Sequence, residues 1–148
     1  MEQDSITFVV EGIEAAPQGS KVPKGRRLNG SIILAESSKR VKPYREAVRE
    51  AALATGLPIH DGPVRLVATF RFLRPKGHFG KKGLRPSAPV HITSQQRGDL
   101  DKLCRALMDG LTGSLLTDDS LVVGLTAAKE YASPGERPST LVTITPLT

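Results

Sequence analysis

The feature that most constrains the fold is a stripe of apolar side chains that recurs with helical period between residues 100 and 111. Successive members lie three or one residues apart, which places all of them on one face of an α-helix. The stripe consists of Leu100, Leu103, Cys104, Leu107, Met108 and Leu111. Gly110 and Gly113 mark its end. The pattern therefore predicts a helix that packs its apolar face against a core.

Other segments predict the elements that supply this core. Alternating apolar and polar residues predict a half-buried strand over 64–73. Apolar runs rich in β-branched residues predict further strands at about 5–11, 31–35, 120–132 and 139–146. An amphipathic run that ends at Gly56, with Pro43 in its first turn, predicts a second helix. The order of elements predicts a single α+β domain over 1–148, a small mixed β-sheet with two helices packed on one face.

Two segments combine helix and strand breakers with basic residues. Residues 17–30 carry several Gly and Pro and predict a loop with exposed basic side chains. Residues 74–97 contain three prolines, three glycines and no acidic residue. A long segment without periodicity is typical of functional or disordered loops, so we expect a basic loop that stays mobile until an anion orders it.

Charge and cysteine content narrow the class of protein. The formal net charge of +6 favours a polyanionic partner, although a basic surface also serves solubility. No apolar run approaches the about 18 residues that a membrane span needs. The acidic N-terminus and the single Cys104, expected to be a small buried hydrophobe, predict a cytoplasmic protein. Three scattered histidines and one cysteine do not match zinc-ligand spacing.

Four carboxylates flank the predicted helix: Asp99 and Asp101 at its start, Asp118 and Asp119 beyond its end. Residues i and i+2 of a helix point in different directions, whereas in extended backbone they share a side. Asp99 and Asp101 can therefore converge only if Asp99 lies at or before the N-cap.

Two interpretations of these carboxylates stay open from the residues alone. Acids stabilise helix starts and are common in turns, and an Asp101–Arg105 pair one turn apart would add a little stability. Alternatively, the connection after the helix folds back and the carboxylates converge on a hard divalent cation, Mg²⁺ or Mn²⁺. Such a site activates water for phosphodiester cleavage, and the basic loop upstream would hold the DNA backbone.

The stretch GDLDKLCRALMDGLTGSLLTDDSLVVGLTAAKEYA, residues 98–132, resembles the RusA family of Holliday-junction resolvases. The shared pattern is an Asp-x-Asp that opens a helix, a following Asp-Asp, and a strand that ends with a lysine. The resemblance implies a RusA-like fold and a homodimeric, Mg²⁺-dependent endodeoxyribonuclease. Its substrate would be a four-way DNA junction, cut by paired symmetric nicks.

Position by position, the resemblance implies that Asp99, Asp101 and Asp119 are the essential metal-binding and catalytic carboxylates, with Asp118 in a supporting role. Arg105 stands where the family has a lysine, so it keeps a positive charge but cannot exchange a proton near neutral pH. Lys129 matches the basic residue of the following strand; otherwise it would be a surface lysine. The DNA-contact candidates are Lys21, Lys24, Arg26, Arg27, Lys76, Lys81, Lys82, Arg85 and Arg97.

Other functions remain compatible with the same residues. The carboxylates could serve a metal nuclease that cuts other branched DNA or RNA, because phosphate contacts carry no sequence information. The arginine at position 105 favours a protein that binds junctions without cutting them. A purely structural role for the acids and the basic loops is the third alternative.

Overall fold

The computed structural model describes residues 4–19, 21–29, 32–36, 39–94 and 97–148. These residues form two α-helices, α1 (Val41–Ala54) and α2 (Leu100–Leu111). The strands are β1 (Ile6–Glu11), β2 (Lys21–Arg26), β3 (Ile32–Glu36), β4 (Val64–Phe72), β5 (Phe79–Gly80), β6 (Gly83–Leu84), β7 (Val122–Tyr131) and β8 (Ser139–Pro146). Short 3₁₀ turns occupy Lys76–His78 and Asp119–Leu121.

The main sheet has four strands in the order β1-β8-β4-β7. The central strand β4 runs antiparallel to β8 and parallel to β7, so the sheet is mixed. Alternate residues of β4 are buried, from Val64 to Phe72, because side chains of a strand point to opposite faces in turn. Within the described residues β7 is an edge strand with a single neighbour.

Both helices pack against the sheet and against each other, and their buried side chains join one core with those of β4 and β8. On the opposite sheet face Val9 and Val67 are exposed. The helices approach closely at Gly110, where a Cβ would lie 2.7 Å from Cβ of Val48. The α+β fold with two helices on one face of a mixed sheet is therefore confirmed.

The local predictions agree with the structure except in one basic segment. Residues 17–30 do not form a continuous loop, because Lys21–Arg26 pair with β3 as a two-stranded ribbon. The prediction was wrong there because Pro23 and Gly25 locally disfavour a strand. A register shift between these two residues accommodates them, and an isolated ribbon tolerates the proline's missing N–H.

Residues 74–97 contain more secondary structure than the sequence indicates. A 3₁₀ turn leads into the short β5–β6 hairpin, and Arg85 N donates to the carbonyl of His78 at 2.8 Å. The mobility of this loop stays a prediction. In the described part of the chain no helix has the length and apolarity that crossing a bilayer demands. The cytoplasmic location likewise stays a prediction.

Candidate functional site

The start of α2 is built on a glycine in a conformation that other residues avoid. Gly98 is buried with φ +90°, and a Cβ there would lie 2.6 Å from Cβ and Cγ of Pro17. Asp99 follows as the N-cap with φ −74° and ψ 143°, and its carbonyl accepts from Leu103 N at 3.0 Å. Extended backbone at Asp99 is the condition under which its side chain and that of Asp101 can converge.

The Asp99 carboxylate does not act as a helix cap. It makes no side-chain hydrogen bond to the first turn, and its side chain is 67% exposed. The nearest cation is Lys102, whose Nζ lies 3.8 Å from Asp99 Oδ2. An acid at an N-cap normally accepts a backbone N–H. The structure therefore leaves both oxygens accessible for another ligand.

Lys129, on strand β7 of the sheet, contacts the start of α2. It stands opposite Phe70 in the β4–β7 register, is half-buried, and donates from Nζ to the carbonyl oxygen of Gly98 at 3.1 Å. The ammonium group is thus held directly beside the residue that precedes Asp99. The contact fixes Lys129 against the start of α2, and its role in a site stays a prediction.

Asp101 and Arg105 lie on the outer face of α2, one turn apart, and both are exposed. Neither side chain has a hydrogen-bond or ion-pair partner among the residues that the structure describes. The charge of Asp101 acts on Cys104, since burial first and Asp101 second raise the pKa of that thiol. The helix-stabilising Asp101–Arg105 pair is therefore absent, and Asp109 pairs instead with Arg45 of α1 at 3.3 Å.

The second acidic pair forms the 3₁₀ turn before β7. Asp118 Oδ2 accepts from Ser120 N at 2.9 Å. The side chain of Ser120 first and its backbone N–H second lower the pKa of Asp118. Asp118 thus has a structural role as the cap of the turn. Asp119 is exposed, and its carboxylate has no partner within the described residues.

Helix α2 runs opposite to β4, and this separates the two acidic pairs. Before α2, Arg97 Nη2 donates to the carbonyl of Leu73, just past the end of β4. After α2, Thr117 Oγ1 donates to Asp61 Oδ1 at 2.6 Å, just before the start of β4. Asp99 therefore lies toward the carboxyl end of the parallel pair β4–β7.

Asp118 and Asp119 precede the amino end of β7, a strand of ten residues that extends about 30 Å. Within the described residues of one chain, no three His, Cys, Asp or Glu side chains come together as a metal site. The structure thus brings Asp99, Asp101 and Lys129 to one end of the domain and places Asp119 toward the other.

The DNA-contact candidates fall into three groups. Lys76, Lys81, Lys82 and Arg85 are exposed on the first 3₁₀ turn and the β5–β6 hairpin. Arg26 and Arg27 are exposed at the end of β2, whereas Lys21 and Lys24 lie within β2, where only the backbone is described. Arg97 forms the third group by itself, because its side chain is half-buried.

Arg97 is engaged in a network that the sequence did not indicate. Its Nη1 pairs with Glu14 Oε1 at 2.7 Å, its Nη2 donates to the Leu73 carbonyl at 2.9 Å, and its guanidinium lies 5.6 Å from the Phe72 ring. Glu14 Oε2 also accepts from Leu73 N at 2.9 Å. The pair holds the segment before Asp99 against the end of β4. No local pattern distinguishes Glu14, because its partners are distant in sequence.

Comparison with known families covers nearly the whole chain. A family model described as endodeoxyribonuclease RusA matches residues 14–145 of the 148. The matched range contains every acidic residue of both pairs and Lys129. No individual curated protein matches the sequence significantly.

Proposed function

Because this chain belongs to the RusA family of endodeoxyribonucleases, the Holliday-junction resolvases, we propose that it nicks four-way DNA junctions in a Mg²⁺-dependent reaction. The proposed outcome is a pair of symmetric cuts in opposed strands, in DNA recombination and repair. The observation that carries the proposal is the exposed Asp99 at the start of α2, whose carboxylate makes no capping bond and whose neighbour Gly98 is held by Lys129, with the unpaired Asp101 two residues on.

The donor set suits a hard divalent cation. Asp99, Asp101 and Asp119 offer only carboxylate oxygens, the ligand type that Mg²⁺ and Mn²⁺ prefer. When bound, such an ion lowers the pKa of a coordinated water and polarises the scissile phosphate. Asp118, whose oxygen holds the turn through Ser120, supports the position of Asp119.

Separation of the acidic pairs within one chain supports a site shared between two protomers. Edge strand β7 exposes Val123 at 65% and Leu125 at 46%. Such an edge presents unpaired backbone groups, and a twofold axis across it would align two β7 strands antiparallel. The amino end of one β7 then lies beside the carboxyl end of the other. In this homodimer the partner subunit's Asp119 joins Asp99 and Asp101, giving two sites for a junction with twofold symmetry.

The basic residues have separable roles in this proposal. Arg105, exposed one turn beyond Asp101, carries a permanent charge that stabilises the negative charge on the phosphoryl oxygens in the transition state. Lys129 holds the Gly98 carbonyl and so orients the backbone that carries Asp99. Arg97, bound to Glu14, positions the same segment and contributes little direct contact with DNA.

The deciding experiment is cleavage of a synthetic four-way junction with labelled strands, with and without Mg²⁺. We expect wild type to introduce paired nicks only with Mg²⁺ or Mn²⁺, and Asp101→Asn to bind the junction without nicking it. Asp109→Asn is the matched control, since Asp109 lies on the same helix but pairs with Arg45. Duplex, flap and RNA substrates run alongside. Persistent nicking by Asp101→Asn, or cutting confined to flaps or RNA, would contradict the proposal.

A further inference from the structure

A cluster of three side chains, Arg74, His78 and Tyr131, connects the basic loop to the end of β7. The guanidinium carbon of Arg74 lies 4.4 Å from the centre of the Tyr131 ring, and the His78 ring meets Tyr131 edge-on at 5.4 Å. Arg74 Nη1 lies 3.3 Å from His78 Nδ1 and donates to the Pro89 carbonyl at 2.7 Å. Residues 75–89, which we name the basic arm, are thus held at both ends by Arg74.

The basic arm has internal bracing and a cationic tip. The β5–β6 hairpin turns at Lys81 and Lys82, both exposed, and Arg85 Nε donates to the Phe79 carbonyl at 3.2 Å. The arm contains no acidic residue, so no charge within it neutralises the tip. Such a tip binds phosphates through release of their condensed counterions.

The arm's root adjoins the proposed metal site. Tyr131 follows Lys129 by two residues, about 7 Å along the strand, and Lys129 Nζ bonds the Gly98 carbonyl beside Asp99. The hairpin carries the tip roughly 10 Å beyond its root, at about 3.3 Å per strand residue. The tip cations are therefore separated along the chain from the root that adjoins the proposed metal site.

We propose that the basic arm grips a second duplex of branched DNA, next to the duplex being cut, and that Tyr131, Arg74 and His78 are its positioning residues. This inference rests on the proposed function and names the element that favours a branched substrate over a linear one. A linear duplex offers no second helix beside the cleavage point. The tip lysines then contribute to junction binding and not to duplex binding.

The salt dependence of DNA binding tests the contact. Each neutralised phosphate contributes about −0.9 to the slope of log K against log salt concentration. In a Lys81→Ala, Lys82→Ala variant we expect the slope for an uncleaved junction in Ca²⁺ to become shallower by about 3.6, because the proposed dimer carries two arms and so loses four lysines, with the duplex slope unchanged. Equal changes on junction and duplex, or no change on either, would overturn the contact.

Substitution of Tyr131 tests the anchor while every charge stays in place. Tyr131→Leu removes the ring beneath Arg74 and should reproduce the shallower junction slope, whereas Tyr131→Phe keeps the ring and should behave as wild type. An unchanged slope in Tyr131→Leu would overturn the anchor. If Tyr131→Leu fails to fold, His78→Ala, which removes the edge-on ring contact, replaces it with the same expectation.

The outcomes separate this inference from the proposed function. If wild type with Mg²⁺ nicks no four-way junction, the proposed function fails. If wild type nicks junctions but its junction slope equals its duplex slope, the basic arm inference fails and the proposed function stands.

Discussion

Lys129 Nζ donates to the carbonyl oxygen of Gly98 at 3.1 Å and so joins the far end of β7 to the start of α2. The two residues are 31 positions apart in sequence. The bond places a positive charge beside the backbone that precedes Asp99. Lys129 itself lies on β7, a strand whose position the sheet determines. Together with the hydrogen bond from Arg97 to the Leu73 carbonyl, the Lys129 bond is a contact through which the sheet sets the geometry of the acidic helix start.

Loss of this ammonium group should slow cleavage more than it weakens binding. For Lys129→Met we expect a single-turnover nicking rate about 10–100-fold lower, the usual cost of removing a group that orients a metal ligand. Junction affinity in Ca²⁺ should change little. Lys102→Met is the control, because Lys102 is also near Asp99 but holds no backbone group there. Equal rates for wild type and Lys129→Met would contradict the role.

A side chain at Gly98 should destabilise the domain for two separable reasons. Positive φ strains an alanine by about 1 kcal/mol or more, and the close Pro17 contact adds to this. Gly135→Ala is the matched control, since Gly135 has φ +86° but no atom within 4 Å of its Cβ position. Urea unfolding should show a larger loss of stability for Gly98→Ala. Equal losses of unfolding free energy in Gly98→Ala and Gly135→Ala would mean that Pro17 moves aside at no measurable cost.

The two neighbouring aspartates before β7 should respond differently to loss of the carboxylate. Asp119→Asn should lower the nicking rate about 100-fold or more with an unchanged melting temperature, because its carboxylate has no structural partner in the described residues. Asp118→Ala should instead loosen the 3₁₀ turn, since Ser120 N loses its acceptor. Thermal melts and cleavage assays on both variants separate the roles. A loss of stability in Asp119→Asn alone would contradict the structural role of Asp118 and the catalytic role of Asp119.

Mixing two inactive variants should restore cleavage if the site is shared. In a heterodimer of Asp101→Asn and Asp119→Asn protomers, one site carries both substitutions and the other carries neither. We expect the mixture to nick one strand per junction, while each variant alone is inactive. Sites built within one chain would leave every site with one substitution, and the mixture would stay inactive. Product strands on a denaturing gel distinguish the two results.

Alkaline pH should destabilise the protein through Tyr44. The hydroxyls of Tyr44 and Thr140 are buried and 2.7 Å apart, and burial raises the pKa of Tyr44 above that of an exposed tyrosine. The unfolded chain therefore releases the phenol proton first. The contribution of Tyr44 to the free energy of unfolding is intact below the pKa of about 10 that a tyrosine has in the unfolded chain. Above that pH it falls by ~1.4 kcal/mol per pH unit.

Tyr44→Phe should remove this extra slope above pH 10. It should cost about 1–3 kcal/mol at neutral pH, because the buried Thr140 hydroxyl loses its partner. Denaturant unfolding from pH 7 to 11 measures both effects. Parallel pH profiles for wild type and Tyr44→Phe would exclude Tyr44 as the source.

The features that could be predicted from sequence are those that neighbouring residues decide. The helical stripe of α2, the alternation along β4 and the Asp-x-Asp at the helix start depend on local period and backbone direction. They were sufficient for the fold class, the position of the acidic residues and the family resemblance. Strand β3 was predicted but β2 was missed, because β2 is stabilised only by pairing with β3, against the local preference of Pro23 and Gly25.

By itself, then, the amino-acid order determined which segments form helices and strands and which residues carry charge beside them. Only the tertiary structure decided that α2 runs against β4, so that Lys129 binds the Gly98 carbonyl next to Asp99 while Asp119 lies toward the opposite end of β7. It also decided that Arg97 binds Glu14 and that Arg74 lies on Tyr131. The physical reason is that these contacts join residues distant in sequence, and packing of the whole core sets their distances.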